Sequence, residues 1–296
     1  MSLTLQSVLD HFGLEKRPFS LLPDPQLLYM SPQHLNVHSV LDYGIASCAP
    51  ITMITGEIGT GKTTLLRELL TRTIDNIHLG LIANAAPADR VEMLRLVLFA
   101  LGQNAIETGS YATLYAQLED FVVAEYQAGR RVIIIFDEAQ NLDRDSLEHL
   151  RLLTNINFAE HELIQLVLIG QPELLETVKR PDLRQLAQRI SAYVSLSHLN
   201  EDDIGKYINC RLDACGTKRP IFEEDTFKLI YEASKGVPRI VNQICDYALL
   251  YAFSHDEATV SLEVINKVLN DGFILSISPV ASIQPDLTAS AQNNER

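Results

Sequence analysis

Gly56-Glu57-Ile58-Gly59-Thr60-Gly61-Lys62-Thr63 stands between the β-rich run Ile51-Thr52-Met53-Ile54-Thr55 and the helix-forming stretch Thr64-Leu65-Leu66-Arg67-Glu68-Leu69-Leu70. Strand, glycine-rich loop and helix in that order are the context in which G-x-x-x-x-G-K-[ST] marks a phosphate-binding loop. Glycine lets backbone N–H groups curl around a di- or triphosphate. On this reading the residues from Gly56 to Gly61 form the cradle, including Glu57, Ile58, Gly59 and Thr60. Lys62 supplies a point charge to the β- and γ-phosphates, and Thr63 offers a hydroxyl to Mg²⁺. Thr64 continues the helix, whose positive end lies beneath the anion. An ordinary glycine-rich turn requires no Lys-Thr pair at its end.

A second signal lies downstream. Arg131-Val132-Ile133-Ile134-Ile135-Phe136 is a continuous apolar run that ends in Asp137-Glu138. Such a run reads as a strand buried on both faces, and therefore as part of a parallel sheet covered by helices. Ligands bind at the carboxyl ends of these strands. Asp137 is then placed for the Mg²⁺ shell and Glu138 for polarising an attacking water. Without the loop upstream, the same two acids would read equally well as solvated caps of a strand.

Five runs have strand character: 51–55, 77–83, 132–136, 163–169 and 192–196. Helical periodicity fills the intervals at 89–101, 111–128 and 144–154. The alternation predicts an α/β fold with a five-stranded parallel sheet and right-handed crossovers. One strand intervenes in sequence between the loop strand and the acid strand, an order that leaves room for the acid strand to lie beside the loop. Beyond residue 199 only helical patterns remain, at 201–214, 223–235, 239–254 and 261–271, so a small all-helical domain follows. Before the loop, Pro18, Pro23 and Pro25 forbid a continuous helix, and residues 1–30 read as an extended arm. Ser31 and Pro32 then open a helix over 31–47. The expected domains are an arm and helix packed on the core (1–47), the α/β domain (48–199), the helical domain (200–272) and a flexible tail (273–296).

Composition sets limits. Apolar residues make up 47% of the 296, enough for a packed core, and the net charge is −14. That charge argues against a basic nucleic-acid footprint over the whole surface and leaves room for a local one. The four cysteines form no C-x-x-C pair and no zinc spacing, and read as buried apolar residues of a reducing compartment. His34 and His38 share a helix face and could form a metal pair, but with no accompanying acid they read as ordinary surface residues. No run of 18 apolar residues and no signal peptide is evident, so the expected location is the cytoplasm.

Further motifs narrow the class. A phosphate loop, an Asp-Glu strand end and a following helical domain resemble an AAA+ ATPase. Phe12-Gly13-Leu14, Pro18-Phe19, Pro23-Asp24-Pro25 and Tyr29 resemble the N-terminal signature of the general secretion pathway protein A (ExeA-type) ATPases. Asp137-Glu138-Ala139-Gln140-Asn141-Leu142, Gly170-Gln171-Pro172-Glu173-Leu174, Gln188-Arg189-Ile190 and Gly236-Val237-Pro238-Arg239-Ile240-Val241-Asn242 add to the resemblance, which covers about residues 8–272. Within that group the chain is most similar to secretion ATPases of exosortase and exopolysaccharide export loci. Longer members continue into a transmembrane helix and a peptidoglycan-binding domain, so direct cell-wall binding is not expected of these 296 residues.

The resemblance implies ATP and Mg²⁺ as cofactors and ATP hydrolysis as the activity. It implies that Gln171 is the sensor-1 residue and that Arg239 is sensor 2, a lid residue touching the phosphate of its own subunit. It implies that Arg189 is an arginine finger reaching a neighbour's γ-phosphate, with Arg184 as runner-up. It also implies an ATP-dependent ring or filament, partners in an envelope secretion or polysaccharide export machine, and peripheral placement at the inner membrane through them. Two other readings stay open: a TniB-like ATPase accessory to DNA transposition or replication, and a nucleotide-gated scaffold with slow turnover.

Overall fold

The computed structural model describes residues 4–71, 76–158 and 161–274. Of the expected tail, residues 275–296 lie outside the described residues. The described residues fall into two compact units, one within Leu22–Leu199 with Val237–Arg239 and the other made of residues 4–21, Asn200–Gly236 and 240–274.

The first unit is the α/β domain. Its strands are β1 (Ile51–Gly56), β2 (Ile77–Ala83), β3 (Arg131–Asp137), the two short strands β4 (Asn157–Phe158) and β5 (His161–Glu162), β6 (Ile164–Gly170) and β7 (Ile190–Leu196). All but β4 and β5 join one five-stranded sheet in the order β2-β3-β6-β1-β7, with every pairing parallel. The strand locations agree with the sequence reading; the order corrects one expectation. The acid-bearing β3 does not neighbour the loop strand, because β6 is inserted between β3 and β1. The short β4–β5 pair was not expected.

Burial explains the strand sequences. Every residue of β1 and β6 is buried, and these two strands with β3 form the interior of the sheet. Successive side chains of a strand point to opposite faces. Ile133 and Ile135 therefore pack with Val37 and Leu41 of α2 (Pro32–Ala46) and with Leu65 and Leu69 of α3 (Lys62–Thr71). Val132, Ile134 and Phe136 pack on the other face, with Leu94 and Val97 of α4 (Arg90–Ala100), Leu118 of α5 (Tyr111–Gln127) and Leu150 of α6 (Arg144–Leu153). Two further helices, α7 (Pro172–Val178) and α8 (Arg184–Arg189), connect β6 to β7. Helix α2 begins as expected, with the Ser31 hydroxyl accepting the N–H of His34 at 3.3 Å and Pro32 in the first turn.

The second unit holds α9 (Glu201–Asp213), α10 (Thr226–Ser234), α11 (Pro238–Ser254) from Ile240 onward, and α12 (Leu262–Asn270). It also holds α1 (Leu5–Phe12), and this changes the expected domain layout. The residues up to Leu21 group with these helices instead of with the α/β core. Local chemistry accounts for both the helix and its docking. Thr4 accepts the N–H of Ser7, Val8, Leu9 and Phe12 are buried on one side, and Gly13 closes the helix in the left-handed region with φ 68°. Phe12 and Phe19 have no exposed surface. The guanidinium of Arg211 donates to the carbonyls of Pro18 at 2.7 Å and Ser20 at 3.3 Å. Arg17 makes a bidentate pair with Asp246 at 2.8 and 2.5 Å.

A buried phenylalanine truncated to alanine loses roughly 3–5 kcal/mol. Phe12→Ala is expected to lower the stability of the helical unit by about that amount in urea unfolding followed by circular dichroism. Leu22→Ala, at a side chain 77% exposed, should change stability by less than about 0.5 kcal/mol. A loss below about 1 kcal/mol for Phe12→Ala would mean that the N-terminal segment contributes little to that unit.

Candidate functional site

The parallel register brings three strand ends to one edge. Thr55 of β1 pairs with Gly170 of β6, and Phe136 of β3 pairs with Leu168 of β6. Gly56 and Gln171 therefore leave the sheet level with each other and Asp137 two residues earlier along β6, all at the carboxyl edge, where ligands of such sheets bind. The loop turns through Gly59 and Gly61, with φ of 83° and 102°, a region that disfavours side chains. A Cβ on Gly59 would stand 2.8 Å from the Cβ of Arg239. The Arg239 main-chain N–H donates to the carbonyl of Gly59 at 3.3 Å. Arg239 thus stands against the loop.

Lys62 is buried and its ammonium donates to the carbonyls of Gly56 at 2.6 Å and Glu57 at 2.9 Å. Those bonds hold the charge inside the curl of the loop. Thr60 adds a hydroxyl bond to Glu57 O at 2.9 Å. Glu57 and Ile58 are exposed at the tip, whereas Thr63 and Thr64 are half-buried in the first turn of α3.

Asp137 closes β3 with 7% of its surface exposed. Its carboxylate accepts the N–H of Glu138 at 3.0 Å. Burial raises its pKa, with a further push from the charge of Glu138. The hydrogen bond from Glu138 N–H, the charge of Lys62 and the Thr63 side chain oppose that rise. Lys62 is pulled below the ordinary lysine value by burial, against the opposing charges of Glu138, Asp137, Glu173 and Glu57. An adjacent hydroxyl and carboxylate are hard oxygen donors of the kind Mg²⁺ takes alongside phosphate oxygens, so Thr63 and Asp137 fit that ion.

Glu138 takes up the left-handed region, with φ 57° and ψ 38°. One carboxylate oxygen, Oε2, accepts from the Gln140 amide at 2.5 Å and from the Gln171 amide at 3.4 Å. Gln140 also accepts the main-chain N–H of Gln171 at 3.0 Å. Nearby, Asn141 donates to the Asn84 side chain at 2.7 Å. Gln140, Asn84 and Asn141 were not singled out as site residues in the sequence, although Gln140 lies within the quoted Asp137–Leu142 motif.

Arg189 is not brought to this cluster. It precedes β7, whose first residue Ile190 pairs with Ile51, at the start of β1. The strand between Ile51 and Gly56 spans roughly 17 Å at about 3.3 Å per residue. Arg189 instead pairs with Glu162 at 2.5 Å and donates to Asn155. Arg184, one helical turn earlier, is exposed. His34 and His38 are buried, not on the surface as their pattern suggested, with 4% and 5% exposure. His34 bonds the Ser31 hydroxyl at 2.7 Å and His38 lies 3.1 Å from Glu68. Among the described residues no group of three or more His, Cys, Asp or Glu could hold a metal. No described helix is long and apolar enough to cross a membrane.

A family model described as an AAA domain matches residues 46–178. With the sheet order and the loop geometry, this match shows that the chain belongs to the AAA+ class of P-loop proteins. Within that class it groups with General secretion pathway protein A of Aeromonas hydrophila, to which it is 39% identical over 243 residues, 82% of this chain and 44% of that protein. The chain therefore spans less than half the length of that relative. Among solved structures, the Aeropyrum pernix ORC2 protein superposes with a TM-score of 0.67 at 17% identity, covering 90% of this chain and 74% of that one. Cdc6p from Pyrobaculum aerophilum gives 0.64 at 18% identity, covering 86% and 70%. At such identities the likeness is one of fold.

The raised pKa of Asp137 carries a stability consequence. The unfolded carboxyl loses its proton at lower pH than the folded one, so the folded state binds more protons between the ordinary carboxylate value and the raised one. Stability falls as pH rises through that window. Asp137→Asn removes the buried charge. It is expected to raise the nucleotide-free melting temperature at pH 7 by roughly 2–4 °C, equivalent to about 1 kcal/mol, with the gain vanishing as pH falls below about 4. An unchanged or lowered melting temperature at pH 7 would contradict the burial argument.

Proposed function

We propose that this chain binds ATP with Mg²⁺ and hydrolyses it. The observation that carries the reading is the meeting of Lys62, Thr63, Asp137, Glu138 and Gln171 at the carboxyl ends of three adjacent strands, around a glycine loop. Phosphoryl transfer asks a protein chiefly for positioning and for charge opposite the developing negative charge. Main-chain N–H groups from Gly56 to Thr63 would surround the phosphates, and the ammonium of Lys62, held in the curl of the loop, would supply charge to the β- and γ-oxygens. The anion counters the burial that depresses Lys62. Thr63 and Asp137 would hold Mg²⁺, which would supply positive charge against the negative charge that develops on the phosphates. Glu138 orients the attacking water and takes up its proton, with Gln171 beside it. Arg239, against the loop, couples nucleotide state to α11.

Arg189 serves a neighbouring subunit on this reading. It stands at the amino end of β7, a strand's length from its own loop, so a head-to-tail ring or filament is the arrangement that gives it a phosphate to meet. The relationship to General secretion pathway protein A supports a role in assembling or regulating an envelope secretion machine. The motif resemblance extends the proposal to an exopolysaccharide export system.

Glu138→Gln keeps the shape of the side chain and removes the base. ATP binding by calorimetry is expected to stay within about threefold of wild type while hydrolysis falls at least 10²-fold. Turnover near the wild-type rate would assign the water to another residue.

An arginine supplied in trans can be worth about 10³–10⁵ in rate. Arg189→Ala is expected to bind ATP and hydrolyse it poorly. Mixing it with Lys62→Ala should restore part of the turnover, because one variant retains the arginine and the other an intact loop. No recovery, with mixed oligomers visible by native mass spectrometry, would rule out Arg189 as the trans arginine and point to Arg184.

A further inference from the structure

The side chain of Gln140 uses both ends of its amide. Its Nε2 donates to Glu138 Oε2 at 2.5 Å, and its Oε1 accepts the main-chain N–H of Gln171 at 3.0 Å. This fixes the orientation of the amide, since a flipped group would set donor against donor and acceptor against acceptor. The neighbouring backbone leaves room for it: a Cβ on Gly170 would stand 2.9 Å from Gln140 Oε1. The acid it grips sits on a backbone with φ 57°, a conformation that a non-glycine residue keeps only when its surroundings hold it there. Gln171 reaches the same carboxylate oxygen at 3.4 Å, so Gln140 is the closer tether. Both amides address Oε2 of the Glu138 carboxylate.

We infer that Gln140 is a positioning residue for hydrolysis, tying the Glu138 carboxylate to the main chain at the end of β6 so that acid and strand end move as one piece. The inference rests on the reading of Glu138 as the residue that orients water. Its consequence is that a shift of Gly170–Gln171, on the strand next to the loop, is passed to the acid chiefly through the Gln140 amide, with the longer Gln171 contact beside it.

The experiment compares Gln140→Ala, Gln140→Glu, Glu138→Gln and the double variant Gln140→Ala/Glu138→Gln. It uses single-turnover ATP hydrolysis, steady-state kcat and KM, ATP affinity by calorimetry, and melting temperature. A hydrogen bond to a charged group lost at a reacting centre lowers the rate about ten- to hundredfold. Gln140→Ala is expected to lose that much in kcat, with KM, affinity and melting temperature near wild type. Gln140→Glu keeps an acceptor for the Gln171 N–H but turns a carboxylate toward Glu138. It should lose at least as much, and it carries the test if the alanine variant does not fold. In the Glu138→Gln background, Gln140→Ala should cost nothing further. Wild-type kcat in Gln140→Ala or Gln140→Glu, with Glu138→Gln inactive, would overturn the role of Gln140 alone. So would losses that multiply in the double variant. Full activity of Glu138→Gln would overturn the reading of Glu138, and this inference with it.

Discussion

β6 pairs in parallel with β1 on one side and with β3 on the other, and the geometry at the carboxyl edge follows from that double pairing. Insertion of a strand between loop and acids leaves β6 standing between Gly56 and the pair Asp137 and Glu138. It also makes the end of β6 the middle of the cluster, so Gln171 and Gly170 touch the residues that follow β3. The pairing is held by apolar side chains on both faces of the sheet. A change at Leu166 or Val167 would therefore act on the site through register, well away from the glycine loop.

Electrostatics at this edge run against the stability of the isolated fold. Burial raises Asp137 and depresses Lys62, each toward its neutral form, while each charge partly supports the other. A phosphate anion and a divalent cation would relieve both at once. Buried, oppositely shifted groups facing one concave loop are a common mark of a functional site. Arg189 shows the complementary condition. Its guanidinium is engaged by Glu162 and Asn155 at the far end of the strands, so its proposed work for a neighbour requires those contacts to orient it or to open.

Much of this was legible in the sequence because the relevant signals are local. The glycine pattern, the apolar run before Asp137-Glu138 and the Ser31-Pro32 helix start each depend on neighbouring residues. Strand order is not local, since Ile51–Gly56, Arg131–Asp137 and Ile164–Gly170 are all near-continuous apolar runs with nothing to rank them as neighbours. The edge strands did carry a clue: β7 alternates between exposed Ser191, Tyr193 and Ser195 and buried Ala192, Val194 and Leu196. Helix α1 went unseen because the prolines after it dominated the reading, although Leu5, Val8, Leu9 and Phe12 have helical spacing. His34 and His38 lie on the same stripe as Val37 and Leu41, which is why they are buried. Gln140 was invisible as a site residue because its role depends on β6 arriving beside it. The engagement of Arg189 likewise appears only once Asn155 and Glu162 of β5 stand beside it.

The most direct measurement is phosphate release from ATP by the unaltered chain, followed with a coupled phosphate assay in Mg²⁺ and again in excess chelator. One phosphate formed per ADP, turnover that requires Mg²⁺, and loss of turnover in chelator are expected. Tight ATP binding without phosphate release, at any protein concentration that permits self-association, would contradict hydrolysis and leave a nucleotide-gated scaffold.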